Sequence, residues 1–255
     1  MKKELLCIVV FTLELIYCAG IKNGETATTP FQDGAVSDSI TDAIALDTEP
    51  VVLFERPEVD ETYYLSIYEA LKKNDIKFLD TIDFTKLRFS YYEYLKKSKK
   101  SSMGLNTDFA RKVNEASGNK DYKTVALYLD SLLMDDPLNI DLNGKMAECL
   151  VAINQSDTFN FMLAKKLGES ILASGNGISE KSPYRVILDN EIAGLFYMMN
   201  IEIKNSTSYI KDMYRFFIIE YVNKDGEPDK AYFQDMRRLD EEQAVPVESG
   251  QEEVH

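Results

Sequence analysis

The chain has 255 residues, 45% of them apolar, with 43 acidic and 29 basic side chains and a formal charge of −14. One or two compact domains with a sizeable core are therefore within reach. Such acidity repels phosphate backbones, which argues against nucleic acid as a partner, and it argues against docking on anionic lipid through a basic patch.

The chain opens on Lys2 and Lys3, then an apolar run from Leu5 to Tyr17 broken once by Glu14. About 13 residues fall short of the ~20 that cross a bilayer as a helix. Charge followed by a short apolar stretch is the order of a secretory signal peptide. Two cleavage sites fit. In the lipoprotein reading Cys18 becomes the lipidated first residue, although Tyr17 is bulky for that position. In the other, cleavage follows Gly20 and the mature chain starts at Ile21. A buried helix over residues 1–20 is the third reading, and the continuous apolar run, which marks no single face, stands against it. Residues 21–50 are polar and acidic with Gly, Thr, Ser and Pro, the composition of a flexible tether. An anchor at Cys18 would give a membrane fraction, and cleavage after Gly20 a soluble one. Cys7 leaves with the signal, so only Cys149 remains for the folded part and no intrachain disulfide is available there.

The folded part starts near Phe54, and residues 51–177 read as a helical, repeat-like region. Val59, Tyr63, Ile67, Ala70 and Leu71 fall at helical spacing after Pro57. Asp83 reads as an N-cap to a helix with Phe84, Leu87, Tyr91, Tyr94 and Leu95 inward. The basic run from Lys96 to Lys100 closes that helix and enters a solvated loop. Gly104 and Asn106-Thr107-Asp108 mark the next break and cap. Four further apolar stripes follow: Phe109, Val113 and Ala116; Tyr122, Val125, Ala126, Leu129, Leu132 and Leu133; Leu142, Met146, Cys149, Leu150 and Ile153; Phe159, Met162, Leu163, Leu167 and Ile171. Short connections predict antiparallel neighbours. Residues 178–239 read as a small, mostly antiparallel sheet region. It holds strands at Tyr184–Leu188, Ile201–Lys204, Tyr214–Val222 and Ala231–Phe233, with one short helix from Asp189 to Asn200. The apolar run of Tyr214–Val222 marks a central strand. Residues 240–255 are an acidic tail without Lys or Arg, expected to be disordered. The fold class is α+β.

The stretch from Gly118 to Asn139 resembles the second half of a tetratricopeptide repeat, through Tyr122, Val125, Leu132 and Pro137. Residues 140–163 fit a degenerate second repeat, with Met146, Ala147 and Leu150 in first-helix positions. The early aromatic, leucine and glycine are represented only by Phe109, with Lys112 and Val113 at the other places. The order of the pieces over about residues 50–239 also resembles an exported bacterial family, domain-of-unknown-function family forty-nine nineteen. The residues concerned are Phe54-Glu55-Arg56-Pro57, Ile82 to Leu87 with Tyr91-Tyr92, Asp121-Tyr122 to Pro137, Ile171 to Gly177 with Ser182-Pro183, Val186-Ile187 and the closing hairpin. Ile178 to Lys181 are extra between the glycines and Ser182. The resemblance implies architecture and export and no established activity.

The one histidine, His255, ends the tail, which excludes triads that need a positioned imidazole. A lone Cys149 cannot make a zinc site and reads as a buried apolar thiol. Gly175-Asn176-Gly177 follows a helix and lacks a Lys-Ser or Lys-Thr pair, so it reads as a helix end and turn rather than a phosphate loop. Carboxylates occur at Asp135-Asp136, Asp189 with Glu191, and Glu241-Glu242. Paired acids could hydrolyse glycosides across a cleft, although Asp135-Asp136 before Pro137 read as a solvated loop. The tyrosines on helices, Tyr63, Tyr91, Tyr94 and Tyr128, read as core edges. No cofactor and no metal is expected. Three functions fit: a non-enzymatic envelope protein binding a protein or peptide partner through the helical array, a carboxylate-dependent hydrolase acting on carbohydrate or peptide, and a structural lipoprotein with the sheet as assembly surface.

Overall fold

The computed structural model describes residues 53–98, 107–155, 158–188 and 190–239, with 107–110 described by backbone alone. The expected signal with Cys18, the tether, residues 104–106, the side chain of Phe109, Asp189 and the acidic tail lie outside the described residues. Among the described residues are eight helices and a four-stranded mixed sheet, an α+β fold.

Helix α1 (Glu61–Lys72) starts where Asp60 accepts a hydrogen bond from the Thr62 amide at 3.0 Å. Its buried face is Tyr64, Ile67 and Leu71. Tyr64 replaces the expected Tyr63, which is half-buried and accepts from the Asp83 amide at 2.9 Å. A short helix α2 (Ile76–Leu79), capped by Asp75, was not expected, because four residues are too few to show a period. In α3 (Phe84–Ser98) Asp83 caps as predicted, accepting from Lys86 N at 3.0 Å, and Lys96 and Lys97 lie in the last turn.

Helices α4 (Thr107–Gly118), α5 (Tyr122–Asp135), α6 (Ile140–Ala152) and α7 (Phe159–Leu172) pack each on the next. Val113, Ala116, Val125, Leu129, Leu132, Leu142, Met146 and Cys149 make one core cluster among α4, α5 and α6. Burial raises the Cys149 thiol above its ordinary pKa, as befits a packing group. The larger core joins α1, α3 and α7 to the short helix α8 (Glu191–Met198) and the sheet, through Phe89, Leu167, Phe196 and Phe233 among others.

The sheet runs β1 (Tyr184–Val186), β4 (Pro228–Arg238), β3 (Tyr214–Val222), β2 (Ile203–Lys211) in spatial order. β1 is parallel to β4, with Tyr184 opposite Phe233, and the other pairs are antiparallel. β3 lies between two partners, as its apolar run implied. Two strands outrun expectation. β2 continues past Lys204 through exposed Asn205-Ser206-Thr207-Ser208, a composition that reads as a loop. Pairing with β3 from Ile203 to Lys211 supplies the hydrogen bonds that make it a strand. β4 extends on both sides of Ala231–Phe233 for the same reason.

Helix α8 is pressed between α6 and the sheet. The Phe196 ring lies 5.2 Å from Tyr221 and 6.1 Å from Phe233. On its other side a Cβ at Gly194 would stand 2.7 Å from the Ile140 Cβ and 2.9 Å from the Asp141 amide nitrogen. Urea denaturation should therefore show Gly194→Ala less stable by ~2 kcal/mol. Leu129→Ala in the other cluster should cost ~3 kcal/mol.

Candidate functional site

The connection from α5 to α6 does not run through solvent. Leu138 and Ile140 are fully buried and carry the backbone between them inward. Asp135 stays exposed, but Asp136 is buried, at 6% exposure. This corrects the solvated-loop reading of Asp135-Asp136 for its second member. The Asp136 carboxylate accepts from Tyr91 Oη at 3.0 Å, Asn139 Nδ2 at 3.1 Å and Asn190 Nδ2 at 2.9 Å. Asn139 also caps α6 by accepting from Leu142 N at 3.1 Å. Burial raises the Asp136 pKa to about 6, its three donors pull it down, and the nearby Glu191 charge pushes it up.

Glu191, the first residue of α8, is paired with Arg88 of α3. Arg88 Nε donates to Oε1 at 2.6 Å and Nη2 to Oε2 at 2.8 Å, with both side chains 1% exposed. Arg88 also donates to the Arg185 carbonyl at 2.9 Å and to Ser170 Oγ at 3.3 Å. Glu191 Oε2 accepts in addition from the Ile187 and Leu188 amides at 2.7 and 3.3 Å. One bidentate pair thus ties α3, α7, the end of β1 and α8. Two of the three acid groups singled out in the sequence contribute here, through Asp136 and Glu191. A hydrolytic carboxylate pair works across open space that admits substrate, whereas these two are enclosed by core side chains.

A second cluster lies at the start of the described chain. The Arg185 guanidinium sits 5.6 Å from the Phe54 ring, Phe54 lies 6.1 Å from Phe89, and Arg56 sits 5.8 Å from Phe89 on its own side. Arg56 further reaches the Met236 carbonyl at 3.4 Å and Glu93 at 3.6 Å. A cavity of about 340 Å³ opens beside it, lined by Arg56, Pro57, Glu58, Val59, Phe89 and Glu93. Two cations flanking a pair of rings in this way hold a segment to a surface. Here they fix Phe54 to Pro57 against α3 and the sheet.

The Gly175-Asn176-Gly177 turn is built for close approach. Gly177 has φ +67, and a Cβ there would meet the Tyr184 ring at 2.1 Å, while one at Gly175 would meet the Pro183 carbonyl oxygen at 2.0 Å. The Asn176 and Gly177 amides both donate to the Ser182 carbonyl, at 3.0 and 2.9 Å. The amides that a phosphate would need are already taken.

Among the described residues no group of three or more His, Cys, Asp or Glu is placed to hold a metal ion. None of the described helices is long and apolar enough to cross a membrane. The chain matches no protein-family model, no curated protein and no solved structure. Sequence reasoning missed Arg88 altogether. Its signal was its place: residue 88 shares the inward face of Phe84, Tyr91 and Leu95 at helical spacing.

A double-mutant cycle tests the pair. Arg88→Met or Glu191→Leu alone should cost ~3–5 kcal/mol, because either leaves a buried charge without its partner. The double variant should be more stable than either single one in urea denaturation.

Proposed function

We propose that the chain is an exported cell-envelope protein that acts without catalysis, binding another protein or peptide through its helical array. The observation that carries the binding reading is apolar side chains left in water on that array. Leu127 and Met134 of α5 are 70% and 67% exposed, and Val151 of α6 is 51% exposed. Leu127 and Met134 are seven residues apart and so share one face of α5. The opposite face of the same helix already fills the core through Val125, Leu129 and Leu132. Aliphatic anchors on a rigid helix suit a partner that brings an apolar groove or an apolar peptide. The packing of α4 to α7, each on the next, supports the tetratricopeptide-like reading, which belongs to this proposal.

Export rests on the sequence: Lys2 and Lys3, the apolar run to Tyr17, and the likeness to an exported family. Cys18 is the candidate for lipid attachment, and the bacterial periplasm or the membrane-anchored envelope is the corresponding location. Mass spectrometry of the mature protein should find an acylated Cys18 or a free Ile21 as first residue; a mature chain that keeps Met1 would overturn export. A photo-crosslinker at position 127 or 134 should give one discrete adduct in envelope preparations, which the same probe at exposed Glu148 does not give. Leu127→Asp with Met134→Asp should weaken binding of the purified partner at least tenfold at unchanged thermal stability. Equal labelling at all three positions would remove the helical array as the binding surface.

A further inference from the structure

A carboxylate surrounded only by donors is held in one protonation state, and to take a proton it must turn one donor into an acceptor. Asp136 is in that position. Tyr91 Oη, Asn139 Nδ2 and Asn190 Nδ2 all donate to it. Asn190 contributes the second observation: its Oδ1 is enclosed and has no hydrogen-bond partner among the described residues. A buried acceptor left alone loses its hydration without a bond in return. If the Asn190 amide turned over, that oxygen would face Asp136, where it can bond only a protonated carboxyl.

We propose that Asp136 is a proton-operated switch at the junction of α3, the α5–α6 connection and α8, with the Asn190 amide as its moving part. Without the proton, Asp136 accepts from three donors and Asn190 Oδ1 is stranded. With it, the amide turns over, the proton on Asp136 Oδ2 is donated to Asn190 Oδ1, and Nδ2 takes the enclosed place, so the orientation of the amide is set by Asp136 alone. The proton comes from solvent and returns to it, and no covalent bond is made.

The groups facing Asp136 fix the direction. From α3 comes Tyr91, from α1 the Tyr64 hydroxyl, and from α8 Glu191. Each carries or would gain negative charge on ionising, and Arg88, the cation of the network, is bonded to Glu191. Asn139 and Asn190 are neutral. Burial therefore dominates, and the folded carboxyl titrates at about 6 against an ordinary 3.8. The folded state holds this proton more tightly than the unfolded chain does. Its stabilisation is complete below about 3.8 and is lost as pH rises through about 6. Acidification should thus tighten this junction. The only side chain that ordinarily titrates in the same range is the single histidine, His255.

The test is made on the full chain in a His255→Gln background. With 13C-labelled aspartate, one carboxyl resonance should titrate near pH 6 and be missing from Asp136→Asn. In urea denaturation the parent's folding constant should fall about tenfold from pH 5 to pH 7, and that of Asp136→Asn should not. Asn190→Ala removes both the donor to the anion and the acceptor of the protonated form; the bond to the charged carboxylate is the stronger of the two, so the carboxyl midpoint should move up. A midpoint below 4.5, a pH slope that survives in Asp136→Asn, or a midpoint unmoved by Asn190→Ala would each overturn the proposal. If Asp136→Asn fails to fold, the resonance in the parent and its shift in Asn190→Ala decide alone.

Discussion

A guanidinium and a carboxylate removed from water together each lose several kcal/mol of hydration, and their attraction offsets this only where the geometry is close and the spare donors and acceptors are filled. Arg88 and Glu191 meet both conditions. Two hydrogen bonds join them face to face, and the remaining sites are taken by the Arg185 carbonyl, Ser170, and the Ile187 and Leu188 amides. The consequence is positional. A loss of any one partner strands a charge, so α3, α7, the end of β1 and α8 hold one mutual placement. Apolar packing alone would tolerate small slips among them, since it depends on area more than on direction.

The neighbouring contacts depend on that placement. Gly194 permits α8 to press against Ile140 only if α8 is at the right height along α6. The Gly175–Gly177 turn carries the chain into β1 so that the Arg185 carbonyl lies where Arg88 reaches it. Next to Arg88 on the same helix, Phe89 receives Phe54 and Arg56. Adjacent residues of α3 therefore serve different tasks, Arg88 pairing with Glu191 and Phe89, also in the core, serving as the platform for the chain's first described segment.

Much of this was legible in the sequence where a period or a cap announces it. The α4 to α7 helices, the Asp83 cap and the central position of β3 follow from apolar spacing and turn chemistry. The polar half of β2 did not, because Asn205-Ser206-Thr207-Ser208 gains its strand geometry only from β3. Helix α2 is a single capped turn with no period to detect. The candidate site was half visible. Asp136 and Glu191 stood among the noted carboxylates, but their burial depends on Leu138, Ile140 and Arg88, which arrive from other elements. A basic residue on an apolar stripe is the one signal that pointed there, and a stripe of Phe84, Leu87, Tyr91 and Leu95 with Arg88 among them asks what neutralises it.

The two acids at the junction are held by different means. Glu191 is paired with a cation and its remaining acceptor capacity is matched by two amides. Asp136 is held by three neutral donors and lies beside another anion, with burial pushing its pKa up. It is also the residue that directly follows α5, the helix that presents Leu127 and Met134 to solvent. A change of partner at Asp136 therefore acts on the last turn of the proposed binding helix, whose final carbonyls lie beside it. Leu132 O already accepts from the Asp136 amide at 3.0 Å. By linkage, a partner that favours α5 in the protonated arrangement would raise the proton affinity of Asp136 by the same factor as protonation raises its own binding. The buried acid and the exposed apolar face thus belong to one helix, with Met134 only two residues from Asp136, so the proposed switch lies beside the proposed binding face.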